Sequence, residues 1–222
     1  MRAFISHARS NQDVALNIRD LLEGIGVETF VAHLDLRPSQ EWRNVIVDQL
    51  RSCELFVPLL SSAFKRSDWC GHETGMAIGR SEALVILPIS IDGAEPFGLL
   101  SNLQSYSLEG GEVSEEIFLS AIGSKWPAVV VDLYIQRLDG AHSFRAAESL
   151  MKPLVPYFSG LTRAQATLIA RKSVENGQIW SAALCRTDYL PAFMRLNRRR
   201  IPADVLRALR FQVAEQRWYN LE

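Results

Sequence analysis

The chain has 222 residues and a formal net charge of −1, with 48% hydrophobic and 22% charged residues. Those proportions exclude a disordered or low-complexity chain and fit one larger domain with a smaller appendage. The longest apolar run, residues 83–89, is far too short to span a bilayer, and the first residues lack a basic-then-apolar leader, so a cytoplasmic protein without a membrane partner is expected.

The near-zero net charge hides an asymmetry. Up to residue 127 there are 10 Lys and Arg against 17 Asp and Glu, a balance of −7; from residue 128 onward there are 14 against 8, a balance of +6. A boundary is expected there, giving a first domain over residues 1–127 and a second module over residues 128–222. The acidic first half is unsuited to a nucleic-acid backbone, which needs a basic face. Arg198-Arg199-Arg200 is the densest basic cluster and reads as a solvated helix end or loop. Cys53, Cys70 and Cys185 are odd in number and lack ligand spacing, so free thiols in a reducing compartment are expected, with no metal.

In chain order, residues 3–6 read as a short buried strand. Residues 13–22 follow as a helix ended by Gly24 and Gly26, and residues 27–31 as a second strand. Residues 33–40, with Pro38, read as a loop. Residues 41–50 form a helix with Ser39 as its candidate N-cap, and residues 55–60 a third strand. Residues 61–67 read as a loop into a helix over residues 68–79. One continuous fourth strand is expected over residues 84–91, a last strand around residues 104–108 and a helix over residues 113–124. Repeated strand–helix units argue for a parallel sheet covered on both faces, with ligands bound outside the carboxyl ends of its strands. That rule gathers residues 7–12, 33–40 and 61–68 around one crevice. In the second module, helices are expected over residues 128–138, 143–150, 162–175, 178–184, 190–195 and 202–216. Thr162 is a candidate N-cap, and Val205, Leu206, Leu209, Val213 and Trp218 make an apolar stripe on the last helix. The module carries no catalytic constellation and reads as a docking or oligomerisation unit.

Glycine-rich phosphate loops, the G-x-S-x-G elbow and H-E-x-x-H are all absent. What stands out is Ser67-Asp68-Trp69-Cys70-Gly71-His72-Glu73. Trp69 and Glu73, four apart, share one helix face. An indole offers a wall for a flat heterocycle, and a partly desolvated carboxylate beside it could stabilise positive charge developing on a ribose. The plainer alternative, Trp69 in the core and Glu73 in a cap or ion pair, takes precedence on pattern alone.

Ala3-Phe4-Ile5-Ser6-His7, Leu36-Arg37-Pro38-Ser39-Gln40-Glu41-Trp42, Leu59-Leu60-Ser61 and Ser67-Asp68-Trp69-Cys70-Gly71-His72-Glu73 occur in that order. Together they make roughly the first 127 residues resemble a TIR domain of the bacterial type. The resemblance implies an α/β, flavodoxin-like, parallel five-stranded sheet in the order 2-1-3-4-5, followed here by a small α-helical C-terminal domain. It further implies cleavage of NAD+ at the nicotinamide–ribose bond, with NAD+ as substrate, no cofactor and no metal. The family's catalytic glutamate falls on Glu73. Ser6, His7 and Arg9 fall where the family contacts the dinucleotide, Asp35 could meet a ribose, and Trp42 and Trp69 are candidate stacking walls. In the second of these boxes, the family's BB loop, Ser39 stands where the family usually has glycine, and Ala8 stands where eukaryotic NAD-cleaving members have arginine. By the same resemblance the product would be ADP-ribose or a cyclic or conjugated form. The setting would be bacterial anti-phage immunity, and the partners would be further copies, joined through TIR domains and C-terminal helices, and an effector sensing the product. A non-enzymatic TIR adaptor, or a virulence factor that lowers host immune signalling, is the alternative.

Overall fold

The structure is a computed structural model. It describes residues 1–32, 42–108 and 113–219, and side chains as far as residue 214. The chain divides into two compact units, Met1–Lys125 and Trp126–Glu222.

In the first unit, β1 (Arg2–Ser6) leads through a 3-10 turn at Arg9–Asn11 into α1 (Gln12–Gly24). Gly26 ends that helix at φ 88°, a left-handed conformation that costs glycine little, and Val27 N–H then reaches back to the Leu22 carbonyl at 2.9 Å. β2 (Glu28–Val31), α2 (Trp42–Ser52) and β3 (Leu55–Leu60) follow. The expected loop over residues 61–67 instead contains α3 (Ser62–Lys65), because the Ser61 hydroxyl accepts from Phe64 N–H at 3.0 Å and caps a helical turn. α4 (Asp68–Ile78) is capped in the same way by Ser67.

The fourth strand is split into β4 (Val85–Ile86) and β5 (Ile89–Ser90), where one continuous strand over residues 84–91 was expected. The reason lies in its neighbour. Leu87 N–H donates to Phe56 O and Ile91 N–H to Leu60 O, so Pro58 falls between them on the side facing Leu87. Having no N–H, it leaves that rung unmade. β6 (Tyr106–Ser107) and α5 (Glu115–Lys125) complete the unit.

All pairings are parallel, in the order β2-β1-β3-β5-β6 with β4 also on β3. Because β4 and β5 share one position, five positions are filled in the order 2-1-3-4-5. Successive side chains of a strand face opposite ways. Phe4 of β1 is in register with Phe30 and Phe56 of its neighbours, with ring centroids 5.3 and 5.9 Å away. On this face the phenylalanines meet Ile46 and Leu50 of α2 and Ala77 of α4. α1 and α5 pack on each other, and α1 buries Ala15, Ile18 and Leu22.

The second unit is helical, as expected. α6 (Pro127–Arg137) begins on proline, and α7 (Phe144–Met151) is capped by the Ser143 hydroxyl. A 3-10 segment, Lys152–Gly160, with Pro153 and Pro156, was not anticipated. α8 (Arg163–Glu175) opens with a capping box between Thr162 and Gln165. Gln165 continues to Asp132 Oδ1 at 2.8 Å and so joins α8 to α6. The expected helix over residues 178–184 stops early as α9 (Gly177–Ser181). A π-helical turn at Cys185–Tyr189 then runs into α10 (Leu190–Asn197). Buried Asn197 donates to the carbonyls of Phe158 and Phe193 at 2.9 and 3.1 Å. α11 (Ala203–Tyr219) packs on α8. Arg198 and Arg199 are exposed just past α10, matching the solvated helix end read from the sequence. None of the described helices is long and apolar enough to cross a membrane.

Candidate active site

In a sheet ordered 2-1-3-4-5 the chain reverses direction across the sheet between β1 and β3, and the carboxyl ends of those strands flank a crevice. Ser6 closes β1 in register with Pro58 of β3. The segments leaving the two strands are tied together by Ser61 Oγ donating to Asn11 Oδ1 at 2.8 Å.

α4 packs against β1 and β3 beside this point. Its buried positions, Cys70, Glu73, Thr74 and Ala77, follow the three–four spacing of an inward stripe. Glu73 is therefore a core-facing carboxyl, 1% exposed, rather than the side chain of an open cleft. Ser6, of the same parity in β1 as Phe4, points to that face. Its hydroxyl donates to Glu73 Oε2 at 2.5 Å, the short end of the range for O–H···O⁻. Oε1 is buried and has no hydrogen-bond partner among the described residues. Burial raises the Glu73 carboxyl to about 7, against a smaller lowering effect of the Ser6 hydroxyl. The Cys70 thiol, one turn earlier, is pushed up to about 11, chiefly by burial and also by the Glu73 charge, with Ser67 and Ser6 as hydrogen-bonding neighbours. It is a protonated packing group and a poor nucleophile near neutral pH.

Trp69, half-buried, lies one turn before Glu73, and Trp42 opens α2. The two rings meet edge to face, with centroids 4.3 Å apart at 69°, and the His72 ring stands 5.6 Å from Trp69. Trp42 remains 37% exposed. The two candidate walls thus form one aromatic unit bridging α2 and α4.

The other candidates fall in different surroundings. His7 is 1% exposed, with Nδ1 2.9 Å from the Ala8 carbonyl, whereas Arg9 is exposed in the turn after β1. Asp35, with His33, Pro38 and Ser39, lies outside the described residues, as does the side chain of Trp218. Among the described residues, no three His, Cys, Asp or Glu side chains gather as a metal ion would require.

The parallel sheet, its 2-1-3-4-5 order and the carboxyl at the switch point define a flavodoxin-like α/β domain. Residues 3–119, more than half of the chain, match the family model described as TIR domain, and the protein belongs to that family. Nothing among the curated proteins matches the chain.

Proposed function

We propose that this protein cleaves NAD+ at the nicotinamide–ribose bond, with Glu73 as the catalytic carboxylate and Trp42 and Trp69 as stacking walls. The observation that carries this reading is a glutamate buried at the switch point with one oxygen held by Ser6 and the other without a hydrogen-bond partner among the described residues. A carboxyl so placed is costly to bury and has no ion pair among the described residues to offset the desolvation, which is the environment of an acid kept for chemistry. As the C–N bond breaks, its electron pair leaves with nicotinamide and the ribose becomes oxocarbenium-like. The Glu73 carboxylate faces that charge in a low-dielectric setting. Nicotinamide departs neutral from a cationic ring, so no general acid is needed. Water attack then gives ADP-ribose and a proton; an internal or foreign nucleophile gives a cyclic or conjugated product. Ser6, His7, Arg9 and Asp35 are the proposed contacts of the dinucleotide, and antiviral immunity is the proposed setting, both on the strength of the family resemblance.

Closure of Glu73 to solvent favours a second reading, a TIR adaptor whose glutamate is structural. Incubating the full chain with NAD+ and separating the products distinguishes the two. Glu73→Gln preserves shape and removes charge, so turnover should fall at least ~100-fold with the fold intact. Equal turnover in a folded Glu73→Gln protein rejects the enzymatic assignment.

A further inference from the structure

Two independent periodicities converge on one contact. The two-residue alternation of β1 turns Ser6 toward α4, and the helical stripe of α4 turns Glu73 toward β1. Both side chains are closed to solvent, at 0% and 1% exposure, and the Ser6 proton is committed to Oε2 at 2.5 Å. A buried serine already donating to the carboxylate has no second proton for a phosphate or a ribose hydroxyl.

We propose that Ser6 is a positioning residue for Glu73: its hydroxyl pins Oε2, fixing the plane of the carboxylate so that Oε1 is the oxygen presented to the ribose. This rests on the reading of Glu73 as the NAD+-cleaving carboxylate, and it replaces direct contact between Ser6 and the dinucleotide. A hydroxyl that donates to the carboxylate also favours the ionised carboxyl over the neutral one, so Ser6 keeps Glu73 usable near neutral pH. Among the described residues, the neighbouring charges leave this role to Ser6. On α2, Arg43, Asp48 and Arg51 are exposed, as are Lys65 on α3 and Asp68 and His72 on α4 itself. β3 and residues 98–100 carry no ionisable side chain. Next to Ser6, His7 has its Nδ1 at the Ala8 carbonyl, and Cys70 is a buried ionisable group that interacts with Glu73.

The test is a cycle of Ser6→Ala, Glu73→Gln and the double variant in the full chain, with NAD+ turnover followed from pH 5.5 to 9 and thermal melts run alongside. Ser6→Ala should lower kcat about tenfold at pH 7, the scale of a lost hydrogen bond to a charged group. KM should change less than about twofold. The midpoint of the rising pH–rate limb should move to higher pH, so that alkaline buffer recovers much of the lost rate. In the Glu73→Gln background, Ser6→Ala should cost nothing further, because its effect is routed through the carboxylate. Ser6→Thr, which keeps the hydroxyl, should retain both rate and midpoint. An unmoved midpoint with raised KM, or a Ser6→Ala loss that persists in the Glu73→Gln background, overturns the positioning role while leaving the Glu73 reading standing. A folded Ser6→Thr protein that behaves like Ser6→Ala also overturns it. Full turnover in Glu73→Gln removes both.

Discussion

Glu73 makes a testable link between burial and stability. Its carboxyl is raised from 4.5 to about 7 in the folded chain, so folding favours its neutral form. The stability associated with that proton is present in full below about pH 4.5 and is lost as pH rises through about 7. The difference amounts to about 3 kcal/mol, from ~1.4 kcal/mol per unit. Glu73→Gln, which never ionises, should therefore melt higher than the natural chain at pH 8 and level with it at about pH 4. A pH-independent gap in melting temperature would mean that the carboxyl is not desolvated. On the proposed reading of Glu73 as the NAD+-cleaving carboxylate, the same carboxyl must ionise to act, so turnover should climb between about pH 6 and 8. The residue that costs stability would then be the one that supplies rate.

At the scale of elements, the α2–α4 pair carries the aromatic unit, and its two indoles should respond differently to truncation. Trp42 is over a third exposed and Trp69 only half-buried. Trp42→Ala should cost less stability than the ~3–5 kcal/mol of a fully buried indole, and should raise the KM for NAD+. Trp69→Ala removes the ring packed between Trp42 and His72, so it should lower both the melting temperature and kcat/KM. Melts beside kinetics separate the two effects. A Trp42→Ala protein with unchanged KM would take that ring out of the substrate wall. In the helical unit, Asn197 serves two carbonyls from different elements while fully buried. Asn197→Ala removes the donor to the Phe158 carbonyl, whereas the Phe193 carbonyl keeps its bond within α10, and it should destabilise by about 1–3 kcal/mol, read as a lowered urea midpoint.

Over the whole molecule, the division at Lys125/Trp126 separates an acidic unit from a basic one. The helical unit has its own buried centre, including Leu154, Phe158, Ile169 and Phe193, so a fragment of residues 126–222 should melt cooperatively with helical circular dichroism. A broad, non-cooperative melt would show that this core depends on the rest of the chain. Opposed balances of −7 and +6 favour association between copies, with the acidic unit of one chain meeting the basic unit of another. The full chain should therefore form homo-oligomers that weaken between about 50 and 500 mM salt, as sedimentation would reveal. A salt-independent monomer would leave the basic unit to another partner.

The parallel α/β class, the separate positions of β1 to β3 and the helix carrying Trp69 and Glu73 were all legible in the sequence. Each rests on local signals, namely short apolar runs, three–four stripes and capping serines, that act within a few residues. The stripe through Cys70, Glu73, Thr74 and Ala77 even held the information that Glu73 faces inward, had its acidic character not suggested a cleft. What the sequence could not supply was whatever depends on a strand's neighbour. The split of the fourth strand is caused by Pro58, some thirty residues earlier and harmless to its own strand, because a missing N–H is felt only by the chain that would accept from it. The Ser6–Glu73 contact likewise joins residues 67 positions apart. Its existence and the burial that raises the carboxyl come only from packing a helix onto the sheet, since desolvation belongs to the assembled interior and not to any stretch of the chain.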